Sequence, residues 1–138
     1  MTKAVDDRGW RALKIDGFTA VFGPVLRKTL ADGKQRYGLQ TGARHVNLIG
    51  LVHGGVITSF LDQVIALDAW TAADRAPVVT VQIDTRFLSA ARQGDFLEAA
   101  TKIRHRTGSM IFLDADVACG RDLVATATSI MKITKKAE

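Results

Sequence analysis

Apolar residues fall at Val56, Ile57, Phe60, Leu61, Val64 and Ile65. That three- and four-residue spacing marks the buried face of a helix. The pattern predicts a helix from about Gly55 that ends before Asp74-Arg75-Ala76-Pro77, because a proline disfavours helical geometry in the residue before it. Beyond Pro77 the period changes. Val79, Val81, Ile83 and Phe87 alternate with Thr80, Gln82, Asp84 and Arg86, which is the two-residue period of a strand. Turn signals at Gln93-Gly94-Asp95, Thr107-Gly108-Ser109 and Gly120-Arg121-Asp122 then predict strands over 96–106, 110–119 and 123–133. Ahead of the helix, residues 18–30 read as a strand interrupted near Gly23-Pro24. Ala31-Asp32-Gly33-Lys34 is a hairpin turn signal, followed by a second strand over about 35–41. A short helix capped by Asp6 or Asp7 is expected within residues 6–14. Strands that meander after one long helix imply an antiparallel sheet. The helix is the most apolar segment, so the expected fold class is α+β, with the sheet wrapped around it.

Composition narrows the class. The chain has 138 residues, enough for one domain with a real core, and residues 1–138 are read as one unit with 1–16 as an N-terminal helical extension. Hydrophobic residues make up 47% and charged residues 24%, as in ordinary globular proteins. The formal net charge of +5 suits an anionic partner without identifying one. The basic residues are scattered and no aromatic stacking motif accompanies them, so nucleic-acid binding is not expected. A single cysteine, Cys119, excludes an internal disulfide and favours a reducing compartment. The first ten residues lack the basic start and apolar stretch of a signal peptide, and no apolar run is long enough to cross a membrane. A cytoplasmic location is expected.

The candidate chemistry clusters at the start of the long helix. His53-Gly54-Gly55 stands where unpaired backbone N–H groups and a partial positive charge are presented. Two glycines let a ligand carbonyl approach those N–H groups, as in an oxyanion hole, although such a pair also serves as a plain turn. Asn47 can hydrogen-bond a carbonyl or a water, or simply favour a turn. His53 can act as an acid or base, and the more modest reading is that its ring holds the loop. Asp62 interrupts the helix and shares a stripe with Gly55, Ser59, Ala66 and Ala69, all small. An ionised carboxylate is costly to bury unless paired or wet, so Asp62 is expected to face a pocket or an interface. Gly54 and Asp62 are eight residues apart, roughly 12 Å along a helix. One carbonyl cannot meet both on the same helix. If both act on one substrate, Asp62 must come from a second copy of the chain, which entails a symmetric dimer. Thr80 and Gln82 lie together on the polar face of the strand after Pro77, with Thr80 placed to orient a water. Lys102, Arg104 and Arg106 line one face of a later strand and lead into the turn at Gly108 and Ser109, where phosphates can be met.

Asn47-x2-Gly50-x2-His53-Gly54-Gly55, followed by Asp62 on the helix, resembles the hotdog-fold acyl-CoA thioesterases. The closest subgroup is the one that includes the phenylacetate-pathway thioesterase and thioesterase superfamily member 2. The resemblance runs from roughly Gly17 to Ile133, and Thr80 falls where that subgroup has Ser or Thr. It implies a five- or six-stranded antiparallel sheet curled around one long helix, and homodimers often paired into homotetramers. It implies Asp62 as general base or nucleophile and the Gly54 N–H as the group that polarises the thioester carbonyl. Asn47 would place the carbonyl or water, His53 would support the loop, and Thr80 would orient water. Gly55, Gln82, Arg106, Gly108 and Ser109 are the expected substrate contacts. No metal and no redox cofactor is implied, coenzyme A being part of the substrate. The competing expectation is a hotdog domain that binds acyl-CoA without cleaving it.

Overall fold

The computed structural model describes residues 3–4 and 8–135. Its elements in chain order are β1 (Lys3–Ala4), β2 (Arg11–Ala12), α1 (Phe18–Phe22), β3 (Leu26–Thr29), β4 (Gln35–Gln40), a 3-10 turn (Ala43–His45), α2 (Gly54–Ala72), β5 (Val78–Phe87), β6 (Phe96–Arg106), β7 (Met110–Cys119) and β8 (Asp122–Ile133). The strands form one antiparallel sheet of eight, in the order β1-β2-β3-β4-β6-β7-β8-β5. The long helix, the hairpin turn at 31–34 and strands β4 to β8 stand where the hydrophobic pattern places them, within a residue or so.

Helix α2 lies across β5 to β8. Its buried face is Ile57, Phe60, Leu61, Val64, Ile65 and Ala69. Burial of each large side chain contributes about 1.5–3 kcal/mol, so this one face anchors the core. The sheet meets it with Leu97 and Ala99 from β6, and with Ile111, Leu113, Ala115 and Val117 at alternate positions of β7. Ala125, Ala127, Ser129 and Met131 do the same on β8. Ser129, the polar member, donates its hydroxyl to Leu113 O at 3.0 Å and so is satisfied inside the sheet.

Two expectations near the N-terminus are corrected. The helix start at Asp6 or Asp7 lies outside the described residues, but the rest of that stretch is not helical: Arg11–Ala12 pairs with Leu26 and Arg27 of β3. The extended chain lays Trp10 edge-on against Phe96, with ring centroids 5.1 Å apart. Gly38 beneath them makes room, because a Cβ there would sit 2.5 Å from Phe96 and 3.1 Å from Trp10. The second correction is α1, expected as strand. Phe18 and Phe22 are one helical turn apart, and their rings meet at a tilt of 57° with centroids 5.5 Å apart. Thr19 between them donates its hydroxyl to Gln63 Oε1 of α2. A contact 44 residues away thus decides a segment whose own pattern is ambiguous. Extended pairing begins only after Gly23-Pro24, at Leu26.

Candidate active site

Asp62 sits half-buried on α2, and its Oδ1 accepts a hydrogen bond from the Thr80 hydroxyl at 2.6 Å. Both residues line a pocket of about 240 Å³ completed by Phe18, Phe22, Thr58, Ser59, Gln63 and Ile83. The carboxylate therefore has one fixed donor and an apolar wall beside it.

A local irregularity makes the contact. On a regular strand, Thr80 and Ile83 would face opposite sides of the sheet. The β5–β8 register shifts between Thr80 and Gln82, leaving Val81 as an extra, unpaired residue. Thr80 stands opposite Met131, whose side chain is buried on the helix side, whereas Gln82 stands opposite Ile130 on the other face. Thr80 thus turns inward with Ile83. Gln82, expected beside Thr80, lines an outer-face hollow with Arg104, Phe112, Asp114 and Thr128. The chain does not bring Gln82 to Asp62.

The helix start is built from several turns of chain. His53 is the N-cap, in extended geometry at φ −58° and ψ 137°, and its carbonyl accepts from Val56 and Ile57. Gly54 and Gly55 occupy the first two helical positions, where N–H groups have no intrahelical acceptor. Gly54 backs onto Phe87: a Cβ would lie 3.1 Å from its Cζ. Gly55 faces open space, with nothing within 4 Å of a built Cβ. A hollow of about 450 Å³ runs along Gly54 between Leu51, Ile57 and the β5 exit at Phe87–Ala91.

Asn47 takes the turn-forming role within the chain. Its Oδ1 accepts from Ile49 N and Leu51 N, both at 3.0 Å, which closes the loop 47–51. Leu48 and Ile49 at its tip are thrown fully outward. His53 is exposed and lines an open hollow with Asn47, Leu48 and Ile49. The histidine that ties the loop is a different one. His45, unmarked by any sequence motif, is buried. Its Nδ1 accepts from Gly42 N at 2.9 Å, its Nε2 bonds Phe22 O at 2.7 Å, and its carbonyl accepts His53 N at 2.9 Å.

The basic stripe on β6 is also split by a register shift, here between Ile103 and His105. Lys102 stands opposite Asp114, and Arg104 reaches Asp114 Oδ2 at 3.6 Å on the outer face. Arg106 stands opposite the buried Ile111 and donates to Ala72 O at the C-terminal end of α2. That contact satisfies an end carbonyl of the helix and complements its dipole. Gly108 and Ser109 are exposed in the adjoining hairpin turn, where Thr107 Oγ1 accepts from Ser109 N and Met110 N. Asp68, the other acid on α2, is engaged structurally: it accepts from Tyr37 Oη at 2.6 Å and from Thr101 Oγ1. Burial first, then the Asp68 hydrogen bond and charge, pushes the Tyr37 phenol well above its usual range. No cluster of His, Cys, Asp and Glu suited to a metal occurs among the described residues, and no described helix is long and apolar enough to cross a membrane.

The thioesterase superfamily model matches residues 49–126, more than half of the chain, and includes His53-Gly54-Gly55, Asp62 and Thr80 but not Asn47. The chain belongs to the thioesterase superfamily. Human acyl-coenzyme A thioesterase 13 is 23% identical over 104 residues, covering 75% of this chain and 74% of the relative. The fold is the hotdog fold. Zebrafish thioesterase superfamily member 2 superposes with a TM-score of 0.77 at 20% identity, over 87% of this chain and 88% of that one. A Bacillus halodurans protein solved with CoA superposes with a TM-score of 0.74 at 21% identity, over 80% of this chain and 74% of that one. As a superfamily member the protein is a thioester hydrolase.

Proposed function

We propose that the protein hydrolyses an acyl- or aryl-CoA thioester to the free acid and CoA, with Asp62 as general base or nucleophile. The observation that carries this reading is the Thr80–Asp62 hydrogen bond of 2.6 Å at the mouth of a pocket walled on one side by Phe18, Phe22 and Ile83. A carboxylate so held is positioned to activate water, or to attack the carbonyl itself, and Thr80 can share that water. The Gly54 N–H polarises the thioester oxygen. Phe18, Phe22 and Ile83 offer an apolar wall to an aryl or medium-chain acyl group.

The two halves of this machinery stand about 12 Å apart along one helix, so the working site is made by two chains. Supporting this, β5 is an edge strand with one side unpaired, and Val79, Val81 and Trp70 are exposed beside it. Unpaired edges invite pairing with another copy. Antiparallel α2 helices about a two-fold axis bring Gly54 of one chain to Asp62 of the other, and homotetramers are the further expectation. The Arg106-Thr107-Gly108-Ser109 turn then lies about 15 Å beyond Asp62 along the helix, at a distance a pantetheine arm covers, and receives the CoA phosphates. An acyl-CoA of this kind points to a cytoplasmic enzyme.

Complementation tests the reading. Asp62→Asn and Gly54→Pro are each expected to lose thiol release by orders of magnitude while remaining folded. Co-expressed, they form mixed dimers with one intact site, and about a quarter of wild-type activity returns. Full activity in Asp62→Asn would overturn the mechanism, and two inactive variants with no recovery on mixing would overturn the shared site.

A further inference from the structure

The Asp62 pocket and the His53-Gly54 loop are separate in the chain, yet one buried residue is bonded to both, to the pocket wall through its ring and to the loop through its backbone carbonyl. The pocket wall opposite Asp62 is α1, which contributes Phe18 and Phe22. A five-residue helix has few hydrogen bonds of its own, so its placement depends on what receives its end groups. Here the dipeptide Arg44-His45 receives them. Arg44 donates to Val21 O at 2.6 Å and to Gly23 O. His45 takes the carbonyl between them, Phe22 O. Since Nδ1 of His45 accepts the Gly42 N–H, the ring hydrogen sits on Nε2 and is donated to Phe22. The same residue's carbonyl holds His53 N–H, immediately before Gly54.

We infer that His45 is a positioning residue that fixes the acyl-pocket wall, through Phe22 O, to the turn from which the oxyanion loop hangs. The inference rests on the thioesterase reading of this pocket. It assigns His45 no contact with substrate. Its effect is on which acyl groups the pocket favours, because α1 touches only acyl groups large enough to reach Phe18 and Phe22.

Two substitutions separate the bonds of the ring. The amide of His45→Gln reaches as far as Nε2 and keeps the donor to Phe22 O. His45→Asn reaches only as far as Nδ1, keeping the Gly42 acceptor and losing Phe22. The measurement is kcat and KM on acetyl-, butyryl-, hexanoyl- and phenylacetyl-CoA, at a temperature where circular dichroism shows each variant folded. The expected result is a roughly tenfold fall in the preference for phenylacetyl- or hexanoyl-CoA over the smallest thioester cleaved in His45→Asn, carried mainly by KM, with His45→Gln within about twofold of wild type. A merely structural role would lower all acyl groups alike and leave the preference unchanged, and that result overturns the inference. Arg44→Gln, at an exposed position of the 3-10 turn that bonds the same end of α1, is expected to shift the preference the same way and carries the test if the His45 variants do not fold. Wild-type protein that cleaves no acyl-CoA overturns the functional reading, and the inference with it. Wild-type activity abolished by Asp62→Asn, with the preference unmoved in the His45 and Arg44 variants, overturns the inference alone.

Discussion

Gly54→Pro removes one hydrogen-bond donor from the site and little else. Proline is tolerated at the first helical position, where its missing N–H has no intrahelical partner to lose. The residue before a proline must be extended, and His53 already is, at φ −58° and ψ 137°. The steric cost lies at Phe87, whose Cζ would be 3.1 Å from the new Cβ. That ring is 53% exposed, so it can shift by the few tenths of an ångström required. Gly54→Ala is the matched control, because it introduces the same Cβ and keeps the N–H. Loss of one oxyanion donor costs about 10²–10³ in kcat, or about 2.7–4 kcal/mol. We therefore expect Gly54→Ala to keep most of its activity, and Gly54→Pro to fall about two to three orders of magnitude below it. Thiol release on the best acyl-CoA gives kcat, and a thermal melt verifies that the two variants fold alike. A folded Gly54→Pro within threefold of Gly54→Ala would refute the assignment of this N–H as the group that polarises the carbonyl.

Thr80→Val keeps the β-branched shape suited to β5 and removes the hydroxyl bonded to Asp62 at 2.6 Å. A hydrogen bond to a charged group is worth about 1.5–3 kcal/mol; lost from the transition state, that lowers kcat/KM about ten- to hundredfold in a variant that circular dichroism shows folded, and an unchanged kcat/KM would remove Thr80 from the mechanism. Tyr37 is the chain's single tyrosine, so absorbance at 295 nm reports it alone. Burial and Asp68 raise its folded pKa above the unfolded value, so its contribution to stability is complete below the ordinary tyrosine range and is lost as pH climbs through that range toward the folded value. The phenolate signal should therefore appear only together with loss of circular dichroism in an alkaline titration, and an early, reversible signal in folded protein would contradict this.

The long elements were readable because a single face decides them. The α2 stripe from Ile57 to Ala69 and the alternation of Ile111, Leu113, Ala115 and Val117 are burial patterns of the sequence itself. Helix α1 was not readable in the same way. Phe18 and Phe22, four residues apart, share a face in a helix and in a strand alike, and the choice is made by Gln63 and by the Arg44-His45 pair. His45 shows the same limit from the other side. Nothing in its sequence neighbourhood marks a histidine whose three bonds go to Gly42, Phe22 and His53.

The bulge at Val81 is the more instructive case, because it separates a residue from the reason for choosing it. Periodicity put Thr80 with Gln82, away from Ile83 and Phe87. The resemblance put Thr80 with Asp62, whose pocket includes Ile83. Both cannot hold on a regular strand, since residues 80 and 83 differ by an odd number of steps. One extra residue reverses the parity: Thr80 shares a face with Met131, Gln82 with Ile130. The conflict between the two readings was therefore itself a signal that β5 is irregular between Thr80 and Ile83. Bulges gather on edge strands and beside active sites, and β5 is an edge strand that carries a donor to Asp62. A second shift at Arg104 splits the basic stripe in the same way, sending Arg104 to Asp114 and Arg106 to the end of α2. On both strands, the break in the pattern decides which face each of Thr80, Gln82, Arg104 and Arg106 takes.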